Sequence, residues 1–175
     1  MINQIKYQKS LKDFISYECE ENKYFVKMAD DIPKDHYLVI KVDNYYNSLN
    51  LAKTPPSIDC LVPLKCRNND YVIYLVELRN VKSSGGFETK AIYNKFKTTI
   101  ENFMGSRLRN IFYNERYSIR SLQLYFVTAA YGKTGEKWRK EGTKIDMLRS
   151  MKPFKFRGKR YQLKHILPNP LIDKC

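Results

Sequence analysis

Two carboxylates carry the chemistry this chain offers most plainly. Asp59 opens one β-prone run and Glu77 stands near the close of the next. A turn over residues 67–70 (Arg67, Asn68, Asn69, Asp70) folds the two runs into a hairpin and brings both acids toward the same end. The other residues around Glu77, from Tyr71 to Leu78, are apolar. Burial favours the neutral form of a carboxyl group, and a second carboxylate beside it disfavours ionisation further. A divalent cation held by both removes the two penalties, which points to metal-assisted chemistry. The plainer reading is a pair of satisfied acids, one capping a turn and the other paired with Arg79 or Lys65. Register bears on the choice. A four-residue turn would pair Cys66 with Tyr71 and Asp59 with Leu78, leaving the two acids on opposite faces. A one-residue shift is needed, and Pro63, which has no N–H for the ladder, is the expected bulge site.

The elements that must position these acids can be read in outline. Leu11, Phe14, Ile15 and Cys19 recur at helical spacing and predict a helix over residues 9–22. Residues 36–42 read as a strand, 43–56 as a polar loop, and 59–66 with 71–79 as the hairpin. The second hairpin strand is apolar on both faces, as a covered central strand requires. After Gly85 and Gly86, the apolar stripe Ile92, Phe96, Ile100 and Phe103 predicts a helix that Gly105 terminates. Residues 122–130 form a further buried strand, Trp138, Ile145 and Leu148 mark a basic helix, and 154–166 a last strand or arm. The order αβββαβ gives an α/β fold, a mixed sheet flanked by helices in one domain spanning residues 1–175.

Composition sets the partner class. Thirty-two Lys and Arg against 18 Asp and Glu give +14, and residues 133–164 hold twelve basic and three acidic side chains. A patch of that kind concentrates phosphate polymers. DNA is the expected partner, with RNA possible, and Lys133, Lys137, Arg139, Lys140, Lys155, Arg157, Lys159 and Arg160 are the candidate backbone contacts in a basic segment over 133–165. Neither a membrane-length apolar run nor a signal-peptide pattern is present, so a cytoplasmic setting is expected. Cys19, Cys60, Cys66 and Cys175 lack metal-site spacing and read as reduced, structural thiols.

The segment Ser57-Ile58-Asp59, a hairpin, then Glu77-Leu78-Arg79 followed by a loop and a helix, resembles the metal-binding core of the PD-(D/E)XK nuclease superfamily, the restriction endonuclease-like fold. The architectural likeness covers about residues 36–130. It implies that Asp59, Glu77 and the backbone carbonyl of Leu78 hold Mg²⁺, with Mn²⁺ as a substitute, and that a carboxylate from the first helix completes the set. Glu18 is preferred over Glu21 for that role, because it follows Phe14 and Ile15 by four and three residues. Mg²⁺ takes oxygen ligands and keeps waters, one of which can be polarised to attack phosphorus. Arg79 occupies the family's lysine position. Its guanidinium can stabilise phosphate charge but cannot act as a base, and Lys82 in the following loop can supply the missing cation. The implied activity is Mg²⁺-dependent endonucleolytic cleavage of DNA, with a homodimer for duplex cutting. The alternative is a catalytically inactive nucleic-acid-binding module of the same fold, which Arg79 favours.

Other patterns carry less. Gly132-Lys133-Thr134 imitates the end of a P-loop, but Val127 stands where the pattern needs glycine. His36 and His165 have no nucleophile partner in the sequence, and Trp138 and the tyrosines read first as core.

Overall fold

Alternation along the longest strands divides the apolar residues into two layers. In the computed structural model, which describes residues 1–81, 86–129 and 144–175, strand β6 (Asp70–Arg79) buries Tyr71, Ile73 and Leu75 on one face and Val72, Val76 and Leu78 on the other. A strand covered on both sides belongs in the interior of a sheet. β6 lies there, in a six-stranded mixed sheet ordered β1-β4-β5-β6-β7-β10. The others are β1 (Ile15–Ser16), β4 (Val39–Lys41), β5 (Cys60–Lys65), β7 (Ser118–Thr128) and β10 (Leu163–Ile166). Pairing is antiparallel from β1 through β6 and parallel from β6 to β7 and β7 to β10.

The helices occupy one face. They are α1 (Ile2–Lys6), α2 (Val42–Asn47), α3 (Thr89–Thr98), a π-helical continuation over Thr99–Arg107, α4 (Arg109–Phe112) and a helix over 144–150. Ile5, Tyr46, Phe96, Phe103, Phe112 and Leu148 join Leu61, Ile73 and Leu124 of the sheet in one core. The opposite face is covered by a small sheet ordered β11-β3-β2, built from β2 (Cys19–Glu21), β3 (Tyr24–Met28) and β11 (Leu171–Ile172). Cys19, Val26 and Ile172 pack there against Val62, Leu64, Val76 and Val127. The fold is therefore mixed α/β with a mixed sheet, as expected, and among the described residues the helices lie on one of its faces.

Four expectations are corrected. The helix predicted over 9–22 is a 3₁₀ segment at Lys9–Phe14, followed by β1 and β2. Its apolar positions are shared between the two cores, with Leu11 on the helical side and Cys19 on the other. The loop expected over 43–56 begins with α2. Gly105 does not end its helix, because the π segment runs on to Arg107. Finally, the cysteines are bridged: Cys19 with Cys60 and Cys66 with Cys175, at Cα separations of 5.9 and 5.5 Å. Sequence spacing could not show this, since each bond joins elements brought together only by the tertiary fold.

The hairpin register also differs from expectation. Lys65 pairs with Tyr71 and the ladder runs without a shift through Pro63 opposite Ile73 to Cys60 opposite Val76. The additional residue sits in the turn, where Asn68 and Asn69 adopt positive φ of 55° and 59° and Cys66 N–H reaches Asp70 O at 2.8 Å. Asparagine tolerates that conformation better than most residues. No bulge at Pro63 is needed.

Candidate active site

Because Cys60 faces Val76, the next step outward sets Asp59 across from Glu77, and both side chains face the helical layer. Asp59 stands where β5 opens, and its backbone carbonyl accepts the N–H of Val42 at 3.1 Å as the chain leaves β4 for α2. Glu77 lies between Asp59 on one neighbouring strand and Phe126 on the other, with Phe87 packed edge-on against Phe126 at 5.0 Å. Glu77 is fully buried and Asp59 is 7% exposed.

The polar contacts are few and direct. Asp59 Oδ2 accepts the backbone N–H of Leu78 at 2.6 Å. Within a strand a residue's N–H and C=O point to the same side, so the Leu78 carbonyl is directed toward the β5 side of the sheet. Lys95 of α3 places Nζ 2.8 and 3.0 Å from the two Glu77 oxygens and 3.9 Å from Asp59 Oδ1. Arg79 Nε lies 2.9 Å from Glu77 Oε1, an ion pair whose N–H is not aligned as a hydrogen bond. Arg79 thus shares the Glu77 face, as its spacing predicts.

Burial pushes the Asp59 carboxyl well above the usual range, and the adjacent Glu77 pushes it further. Lys95 and the Leu78 N–H work against both effects. Burial likewise raises Glu77, opposed by Lys95 and then Arg79. Asp43 in the first turn of α2 is raised by burial, with Lys95 opposing.

Lys95 is the side chain at this carboxylate pair that the sequence pattern did not single out. The signal was present: Lys95 follows Ile92 by three and precedes Phe96, so it interrupts the apolar stripe that turns α3 toward the sheet. Glu18 does not join the carboxylates. It is exposed between β1 and β2, its backbone N–H donating to Ser16 Oγ at 3.1 Å. Glu21, at the end of β2, is the acid whose charge raises Asp43, Asp59 and Glu77 together. Lys82 lies outside the described residues, as do Lys133, Lys137, Arg139, Lys140 and Trp138.

The remaining basic candidates sit on a hairpin formed by β8 (Phe154–Phe156) and β9 (Lys159–Tyr161). Phe154 and Phe156 are buried, Phe154 stacking on Tyr93 of α3 at 4.6 Å. Lys155 and Arg160 face each other across the strands and are exposed with Lys159. Arg157 differs. Its guanidinium donates to Tyr117 O at 2.7 Å and to Asn114 O, fastening the hairpin to the segment before β7. Two of its nitrogens are thereby engaged with the backbone, unlike those of the three exposed cations.

No group of three or more His, Cys, Asp or Glu among the described residues is arranged as a metal cage. The pair Asp59 and Glu77 still offers a divalent cation the right donor chemistry: two adjacent carboxylates, with a cationic side chain already drawn to both. Among the described residues no helix is long and apolar enough to cross a membrane. Comparison with protein-family models, curated proteins and solved structures returns no match.

Proposed function

We propose that the chain is a metal-dependent endonuclease acting on DNA, with a restriction endonuclease-like core. The observation that carries this reading is the buried pair Asp59 and Glu77 on one face of a central hairpin, with Lys95 and Arg79 against it. Two carboxylates buried together carry a desolvation and repulsion cost that a bound cation would relieve. Asp59, Glu77 and the Leu78 carbonyl would hold Mg²⁺ or Mn²⁺, which when bound polarises water and neutralises charge on phosphoryl oxygens. Lys95 and Arg79 supply positive charge to the scissile phosphate, and Lys82 is a third cation for that role. Lys155, Lys159 and Arg160 give the backbone a basic surface to rest on. Cutting both strands of a duplex with one centre per chain calls for a symmetric dimer.

Plasmid cleavage tests the reading. Purified protein should nick supercoiled DNA with Mg²⁺ or Mn²⁺ and stop in EDTA. Glu77→Ala should lower the rate by several orders of magnitude while DNA binding survives, because metal and water activation supply much of the barrier lowering. Lys95→Ala should lower the rate by about 10²-fold or more, the scale of losing a charge-stabilising donor. Cleavage that persists unchanged in Glu77→Ala removes the assignment. One observation favours the binding-module alternative: a cation of the chain's own, Lys95, already lies against both carboxylates, 2.8 and 3.0 Å from Glu77 and 3.9 Å from Asp59. DNA binding indifferent to divalent cations, with no cleavage, would establish that alternative.

A further inference from the structure

Thr99 is fully buried at the junction where α3 passes into the π segment. Its backbone N–H reaches the Lys95 carbonyl, and its hydroxyl donates to the same oxygen at 2.9 Å. That hydroxyl in turn accepts the backbone N–H of Ile58 at 3.4 Å, the residue immediately before Asp59. One side chain therefore touches the backbone beneath Lys95 and the backbone beside Asp59. These are the two places whose separation decides whether the ammonium reaches the carboxylates. The hydroxyl also keeps the Ile58 N–H satisfied in an interior where an orphaned donor is costly. Helix-interior threonines often bond the carbonyl four residues back. The second contact, across to the segment entering β5, is the unusual one.

We infer that Thr99 is the positioning residue of this site, a joint between α3 and the segment entering β5 that sets Lys95 against Asp59 and Glu77. The inference rests on the reading of those three side chains as one reacting centre. The joint itself is a property of the metal-free protein, so it can be tested without activity.

The test is lysine acylation of the metal-free protein, mapped by mass spectrometry. Lys95, largely buried and ion-paired, should react slowly beside the exposed Lys155. In Thr99→Val, which keeps the side chain's shape, the Lys95 rate should rise about fivefold relative to Lys155, the factor corresponding to one net hydrogen bond. Thr99→Ser should restore the slow rate. Tyr46→Phe, which removes the bond from Tyr46 Oη to Asn102 Oδ1 (2.6 Å), should destabilise the same layer and leave the Lys95 rate alone. An unchanged rate in Thr99→Val overturns the inference, as does an equal rise in Tyr46→Phe, which would mark general loosening. If the rate responds as expected but plasmid DNA is never cleaved, the joint stands and the nuclease assignment falls.

Discussion

At the scale of single residues, the carboxylate pair makes the protein less stable than it could be. Asp59 and Glu77 both titrate above their ordinary range because they are buried, Asp59 also because Glu77 is adjacent. A raised native value means that the folded chain binds these protons more tightly than the unfolded one. The stabilisation is complete below the ordinary carboxylate range and is lost as pH rises through the raised values. Lys95, Arg79 and Glu21 are the charged groups acting on the pair, and Lys95 limits the loss. In EDTA, Asp59→Asn should be more stable than wild type at neutral pH by about 0.5–2 kcal/mol, since an amide keeps an acceptor for the Leu78 N–H without the charge. Denaturant melts at pH 5 and 7.5 check this, and the gap should close at the lower pH. A variant less stable at neutral pH would show that Lys95 already compensates the pair in full. Asp59 and Glu77 were legible in the sequence as acids flanking apolar runs. Lys95 was masked by its surroundings, because a lysine within an amphipathic helix is ordinarily assigned to the solvent side unless its angular position is checked.

At the scale of elements, the β8–β9 hairpin separates two kinds of cation that sequence alone treats as one. Its inner face is held by Phe154 and Phe156 and its turn by Arg157 and Gly158, both at positive φ (47° and 77°), the geometry of a tight two-residue connection. Arg157→Ala removes the donors to Tyr117 O and Asn114 O and should cost about 2 kcal/mol, the loss of charged hydrogen bonds to carbonyls, with little change in DNA affinity. Lys155→Ala, Lys159→Ala and Arg160→Ala should leave stability within about 0.5 kcal/mol. Every phosphate neutralised by one of these three cations should steepen the logarithmic salt dependence of duplex binding by about 0.9, so each substitution should flatten it by that amount. Fluorescence anisotropy across a salt series, alongside thermal melts, separates the two outcomes. A salt slope that falls with Arg157→Ala would show that it contacts phosphate as well as the backbone. Strands were the readable elements because their alternation is local: the hairpin strands and β7 fall within a few residues of expectation. The first segment misled because Leu11, Phe14, Ile15 and Cys19 imitate a helical stripe while serving two different cores, a division that only the sheet between them creates.

At the scale of the whole molecule, the two disulfides tie distant parts of the chain to the strand that follows Asp59. The Cys19–Cys60 bond joins the small sheet to β5 beside the site, and Cys66–Cys175 holds the last residues to the far end of the same strand. Bonds closing intervals of 41 and 109 residues contribute about 2–4 kcal/mol each. Protein purified without reductant should show no free thiol in denaturant, and reduction should lower the melting temperature by about 10–30 °C, at about 2–4 °C per kcal/mol for a chain of this length. Four titratable thiols in the unreduced protein would return the cysteines to the reduced state expected from their spacing. The same two bonds change the chain's mechanics. The shortest covalent route from Met1 to Cys175 runs to Cys19, crosses to Cys60, continues to Cys66 and crosses again, about 24 residues of backbone. Pulled from these ends, the oxidised chain can lengthen to roughly 100 Å, against roughly 600 Å when reduced, at about 3.6 Å per residue. Residues 67–174, with Glu77 and Lys95, lie off that route and bear no direct tension. Force spectroscopy should record one short extension in the oxidised protein and a release of the long remainder only after reductant is added.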